Sequence, residues 1–323
     1  MDTISTVTCR LAATTAAVGL APAIAPTSAA AQGEVPDRVT QQEAGQVVYW
    51  VPPGPRPLSE EVFGTAANPT MTLAPKVEQA REMVEAGKLP PTVPQLLKDL
   101  PLLVGVPEKA RSPGLDGGQI LKQPTPFPDD GMIVDGHFRA EFFDETSTDP
   151  AGPPGETPDA AAMEAEFTDP QGNAYRVVLD HVVKPPFPGY ETDGGVMLDD
   201  VHHGSTGTGT PLMPQVWTVA AFWGVGEVYV NGELAAPRQV MHLMTSETVR
   251  TTDYRLALQE EMPLAPEQWH VDDQPHHTHL IVLPVEATDR GPAFSPVPTS
   301  FELPNGETQP FMHVMFEQDT VVN

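Results

Sequence analysis

The sequence predicts a mainly β fold, either an antiparallel β-sandwich or a barrel-like domain, preceded by a proline-rich and partly helical N-terminal segment. Short apolar runs with strand-like spacing recur from residue 163 to residue 317, and turn sequences separate them. The crossover helices that a parallel sheet would need are missing from this pattern. Proline, at 38 residues, is more than twice its usual share of about 5%, which indicates many turns and edge strands. We therefore expect three segments: a signal peptide over 1–32, the proline-rich segment over 33–130 and a β domain over 131–323.

The first segment has the pattern of an export signal. Arg10 precedes an apolar run over 11–24, and small residues follow over 28–31. The run is too short and too rich in alanine and threonine to span a bilayer, so we expect no membrane insertion once it is removed. This predicts a periplasmic or extracellular protein. A disordered alanine-rich tail is the alternative interpretation.

The proline-rich segment contains one clear helical pattern. Val77, Ala80, Met83 and Val84 recur at the spacing of one helix face, which predicts a helix over 75–86 that ends at Gly87. A second short helix is predicted over 93–103.

Two hairpins are predicted in the β domain. Strands over 163–167 and 174–183 flank the turn sequence Asp169-Pro-Gln-Gly-Asn173. The strand over 227–230 runs into Asn231-Gly232, a pair that favours a type I′ turn because both positions adopt positive φ. Further strands are predicted over 240–246, 254–259, 277–285 and 311–317.

Charge and cysteine content exclude several classes of function. Acidic residues number 44 against 17 lysines and arginines, and the net charge of −27 opposes binding to nucleic acid or to anionic membranes. Cys9 is the only cysteine, and it lies within the predicted signal. A mature chain without it has no disulfide, thiolate zinc site or cysteine nucleophile. Any metal must therefore be bound by His, Met, Asp, Glu or backbone oxygen.

Histidines are concentrated in the second half of the chain, where nine of the ten follow residue 180. Imidazole is a common ligand of zinc and copper. On a strand, His277 and His279 project from the same face, and His242 and His313 are central in strands of their own. These four residues are the predicted metal ligands. A His-x-His pair with one further strand histidine resembles the arrangement in α-type carbonic anhydrases, whose other motifs are absent here.

Two further observations refine this prediction. Met244 shares a strand face with His242, and Met315 shares one with His313; thioether and imidazole together favour copper(I). His202 and His203 lie beside two aspartates in a glycine-rich stretch over 201–210, which is either a metal or substrate-facing loop or a flexible hairpin tip.

The leading hypothesis is an exported protein that binds copper or zinc through histidines on adjacent strands. A metal-dependent enzyme is the first alternative: three histidines would leave a position for an activated water or a small-molecule ligand. Glu247, Glu286 or Glu317 would be its base. A secreted structural or adhesion module without metal is the second alternative, and it predicts that the histidines lie far apart. The pattern leaves substrate and oligomeric state open.

Overall fold

The computed structural model describes residues 34–52, 54–55, 64–65, 68–69, 73–99, 124–125, 131–146, 157–184, 195–203, 216–247, 276–302 and 306–323. The predicted signal peptide and the predicted strand over 254–259 lie outside the described residues.

Most described residues belong to strands of one sheet, with two helices beside it. The helices are α1 (Leu73–Glu85) and α2 (Val93–Asp99). The strands are β1 (Arg38–Gln42), β2 (Val48–Trp50), β3 (Gly54–Pro55), β4 (Gly64–Thr65), β5 (Asn68–Pro69), β6 (Pro124–Thr125), β7 (Met132–Val134), β8 (Gly136–Phe143), β9 (Ala160–Thr168), β10 (Ala174–Val182), β11 (Val196–His202), β12 (Val216–Val230), β13 (Glu233–Glu247), β14 (His276–Thr288), β15 (Gly291–Phe294), β16 (Met312–Phe316) and β17 (Thr320–Val322).

The large sheet has 13 strands, and its main order is β17-β1-β8-β9-β10-β12-β13-β14-β16-β2-β7. Strand β11 pairs with β12 beside the end of β10, and β15 pairs with β14 beside the end of β16. Neighbouring strands of this sheet run antiparallel. The predicted fold class is thus confirmed. Strands β1 and β2 belong to the same sheet although they come from the proline-rich segment.

Contacts between distant strands show that the sheet curls around one core. Trp50 of β2 packs against Phe167 and Tyr175, on β9 and β10, with ring centroids 6.2 and 5.7 Å apart. Phe138 of β8 lies 4.5 Å from Phe316 of β16. Such pairs are far apart in strand order, so they meet only because the sheet folds back on itself. Each buried aromatic ring stabilises the fold by roughly 1.5–3 kcal/mol through the apolar area it removes from water.

Both predicted hairpins are confirmed. Asn231 and Gly232 join β12 to β13 with φ angles of 51° and 85°, as a type I′ turn requires. The turn between β9 and β10 is held by the Asp169 carboxylate, which accepts hydrogen bonds from the backbone amides of Gln171 and Asn173 at 2.9 Å. Local sequence therefore determines how these strands are paired.

The helices form a small layer with an apolar cluster of its own. Val77 and Ala80 of α1 are buried with Leu89, Val93 and Leu97. Helix α1 begins two residues before the prediction, and α2 is described as far as Asp99. Apolar spacing identified α1 because this helix buries a single face.

Candidate metal centre

The start of strand β14 positions the first two candidate ligands. His277 and His279 alternate with Thr278 and therefore share a face, as predicted. Their Nε2 atoms lie 2.8 Å apart, and the rings meet edge to face at 88°. Both side chains are buried, with relative exposures of 0% and 1%. The His-x-His pair thus forms a contact between two imidazole nitrogens inside the protein.

His313 of strand β16 and Glu317, the residue after that strand, lie on the same face. The Nε2 atom of His313 lies 2.9 Å from Nδ1 of His279, and the rings are stacked with 5.2 Å between centroids. Glu317 Oε2 lies 3.3 Å from Nδ1 of His277, and its side chain is only 6% exposed. The four side chains form a row in the order Glu317, His277, His279, His313, which we call the histidine row.

Two methionines flank the middle of the histidine row. In the strand register Met244 of β13 and Met315 of β16 are the partners of His279 on either side. Partners in an antiparallel sheet have Cβ atoms about 4.5–5.5 Å apart and point to one face. Both methionines are buried. Two residues with soft thioether side chains are therefore the neighbours of His279 in the sheet.

His203 reaches this cluster from the end of strand β11. Its Nε2 atom lies 3.2 Å from the sulfur of Met244, and its backbone, with a φ of 65°, is in the left-handed region. His202 turns instead toward Thr218, with Nδ1 and Oγ1 2.7 Å apart. Both histidines are buried. Within this predicted pair, His203 contacts Met244, the methionine next to the histidine row.

His242 lies on the same face but is held away from the histidine row. Its Nδ1 donates to the carbonyl of Phe222 at 2.8 Å, and its ring stacks on Trp223 with centroids 4.4 Å apart. Desolvation, with a smaller contribution from nearby His202, outweighs the hydrogen bond to Phe222 and lowers the pKa of His242 to about 4. The structure therefore brings three of the four predicted strand histidines together and leaves His242 outside.

The three histidines of the row do not point at one centre. His279 turns one ring nitrogen to His277 and the other to His313, so the row contains two separate nitrogen pairs and no point that all three rings share. Within the described residues no three His, Cys, Asp or Glu side chains are arranged as a ligand set. Two nitrogens bound at 2.0–2.1 Å to a tetrahedral ion lie about 3.3–3.4 Å apart, so an ion between the pair would separate the rings by about half an ångström.

The opposite face of β14 carries a second carboxylate–histidine contact that the sequence did not reveal. His276 Nδ1 lies 2.8 Å from Oδ1 of Asp319, and the hydroxyl of Thr278 donates to Oδ2 of Asp319 at 2.6 Å. The hydrogen bond with Asp319 raises the pKa of His276, against a smaller effect of burial. Glu317 and Asp319 are two residues apart, like many acidic pairs, and nothing in that spacing identifies their partners.

Comparisons with family models, curated proteins and solved structures gave no match to this chain. Among the described residues, no helix has the length and apolar character needed to cross a membrane. The functional interpretation therefore depends on the site itself.

Proposed function

We propose that this protein binds a metal ion, copper in preference to zinc, at the His277–His279 pair beside Met244 and Met315. One observation carries the proposal: the two Nε2 atoms lie 2.8 Å apart and are buried, and both cross-strand partners of His279 are methionines. Imidazole suits copper and zinc, whereas thioether sulfur favours copper(I). The two methionines therefore favour copper over zinc. We also propose, from the sequence pattern over 1–32, that the protein is exported.

Burial favours binding over catalysis. The two ligands have exposures of 0% and 1%, so an ion between them would be enclosed by protein rather than presented to a substrate. A cleft of about 490 Å³ lies elsewhere, lined in part by Asp135, Tyr175 and Arg176. Storage or delivery of an ion fits this arrangement better than turnover.

A metal-dependent enzyme is the second candidate, and Glu317 is the observation in its favour. Carboxylates that accept a hydrogen bond from a ligating histidine orient the ring and increase its basicity, and Glu317 occupies that position at His277. Of the other predicted bases, Glu247 accepts a hydrogen bond from the backbone amide of Trp217, and Glu286 lies opposite Gln239, toward the other end of β14. A structural module without metal predicts separated histidines, and their contact supports the metal proposals instead.

The test is anaerobic titration of the purified full chain with copper(I) and, separately, with zinc(II), followed by elemental analysis. We expect about one copper per chain, and its loss in the double variant His277→Gln/His279→Gln, which keeps polar side chains of similar length. His181→Gln is the control because His181 is exposed and bonded to Asp180. Purification from the export compartment, with an intact mass, also tests removal of 1–32.

A second pair of variants tests the preference for copper. Met244→Leu/Met315→Leu removes both sulfurs at nearly constant volume, and we expect weaker copper(I) binding with zinc(II) binding unchanged. Met312→Leu is the matched control, since Met312 is equally buried but faces the core. Stronger zinc than copper binding in the native chain would reverse the order of metals. A folded chain that takes up neither ion would overturn the proposal.

A further inference from the structure

We infer that Glu317 sets the tautomers of the whole histidine row. Each ring then donates its N–H to the neighbour in the row that is nearer to the carboxylate. In this arrangement His277 carries its hydrogen on Nδ1, and both His279 and His313 carry theirs on Nε2. Glu317 is then a positioning residue that acts on the proposed ligands. What this order means for metal binding rests on the proposed function, but the order itself is a property of the metal-free chain.

The contact between Glu317 and His277 determines the tautomer of His277. In the proposed order Glu317 is a carboxylate, which only accepts hydrogen bonds, and the 3.3 Å contact then puts the hydrogen of His277 on Nδ1. In the opposite tautomer a nitrogen lone pair would face a carboxylate lone pair inside the protein. In this order Nε2 of His277 keeps its lone pair.

The tautomer of His277 determines those of His279 and His313 through the hydrogen bonds between the rings. A hydrogen bond between two imidazole nitrogens has one donor and one acceptor, and His277 Nε2 is the acceptor of the 2.8 Å contact. The hydrogen between the two rings therefore belongs to Nε2 of His279. This leaves Nδ1 of His279 to accept, and His313 donates to it from Nε2 at 2.9 Å.

The order assigns different roles to the three histidines. His277 already presents the Nε2 lone pair that a metal requires. The hydrogen on Nε2 of His279 occupies the position between the pair, where the metal ion would replace it. His313 contacts the other nitrogen of His279, so it orients a ligand and is not itself the third ligand.

Nitrogen NMR of the metal-free full chain, labelled with ¹⁵N-histidine, tests the inference. Long-range proton–nitrogen correlations report which ring nitrogen carries hydrogen, without reference to any metal. We expect the Nδ1–H tautomer at His277 and the Nε2–H tautomer at both His279 and His313. A hydrogen on Nε2 of His277, or a doubly protonated ring in the row at neutral pH, would overturn the inference.

Variants separate positioning from simple structural support. Glutamine can donate or accept, so Glu317→Gln should abolish the dominance of the Nδ1–H tautomer at His277 and weaken copper(I) binding by about 10- to 100-fold. Glu317→Asp keeps a pure acceptor and should restore the tautomer order. Asp319→Asn alters a carboxylate that contacts the opposite face of β14, so it should leave the tautomer order of the row unchanged. An unaltered tautomer order in folded Glu317→Gln would contradict the role of Glu317.

The two proposals can fail separately. If the tautomer order is found but the chain binds no metal, the proposed function fails and the inference about Glu317 stands. If copper binds but His277 carries its hydrogen on Nε2, the inference fails and the proposed function stands.

Discussion

Asp169 shows how much of a turn a single carboxylate can organise. Besides two backbone amides, it accepts hydrogen bonds from the side chains of Asn173, Tyr175 and Ser300. Burial raises the pKa of Asp169, but the hydrogen bonds from Ser300 and Asn173 outweigh it, and the net pKa lies below its usual value of 3.8. Burial and the nearby charge of Asp169 raise the pKa of Tyr175 to about 12. The anionic carboxylate is thus the form that the fold stabilises.

We expect Asp169→Asn to destabilise the protein in a pH-dependent way. Because the folded pKa is lowered, the stabilisation is complete above the unfolded pKa and is lost as pH falls below 3.8 through the folded value. At pH 7 the variant should lose about 1–3 kcal/mol, since donors that served a carboxylate then face an amide. Urea denaturation of both proteins from pH 7 to pH 3 measures the difference. A free-energy difference that stays constant over this range would contradict the prediction.

The residue pattern predicted which side chains belong to the candidate site better than it predicted which side chains they contact. His277 and His279 share a face because strand alternation is a local property. The neighbours of His242 were not predictable, because its stacking on Trp223 depends on the register of β12 against β13. The same holds for Glu317, which was named only as one of three possible bases.

Elements were predictable where local chemistry determines them. Turn sequences identified both hairpins, and apolar spacing identified α1. Strand lengths were underestimated: β14 continues to Thr288, and β13 begins at Glu233. The missed ends are less buried than the rest of each strand, so the sequence pattern shows only the apolar parts.

Gly226 gives a test of how closely β10 and β12 approach. A Cβ at Gly226 would lie 2.1 Å from the carbonyl oxygen of Val178 and 2.5 Å from Cε of Met241. The carbonyl is backbone and cannot move without disturbing the strand pair, so we expect Gly226→Ala to cost ~3 kcal/mol or more.

Gly232→Ala is the matched comparison at the tip of the β12–β13 hairpin. A Cβ there meets no atom within 4 Å, so only the positive φ disfavours alanine at this position. We expect this substitution to lower the free energy of unfolding by ~1 kcal/mol. Chemical denaturation of both variants measures the two values. Equal losses would show that the strands separate easily at Gly226.

The whole molecule depends on pairings that the local pattern does not determine. Strand β2 lies beside β16, and β1 lies beside β17, although more than 250 residues separate the paired positions. Short strands carry no signal for such distant partners, so the sequence predicted an antiparallel sandwich or barrel-like domain without its strand order. The proposed site depends on that order, because β13, β14 and β16 must be adjacent for sulfur to flank His279.

Metal binding at the centre of this sheet should stabilise the entire fold. The proposed ligands lie on β14, whose neighbours β13 and β16 connect it to both halves of the sheet, so global unfolding would destroy the site. A ligand that binds only the folded state, at 100 times its Kd, contributes about 2.7 kcal/mol. For a chain of 323 residues, with an unfolding entropy of about 2.1 cal/mol/K per residue, we therefore expect the Tm to rise by roughly 4 °C with copper(I), measured by anaerobic circular dichroism. The variant His277→Gln/His279→Gln should show no rise, and an equal rise in both proteins would place the ion at another site.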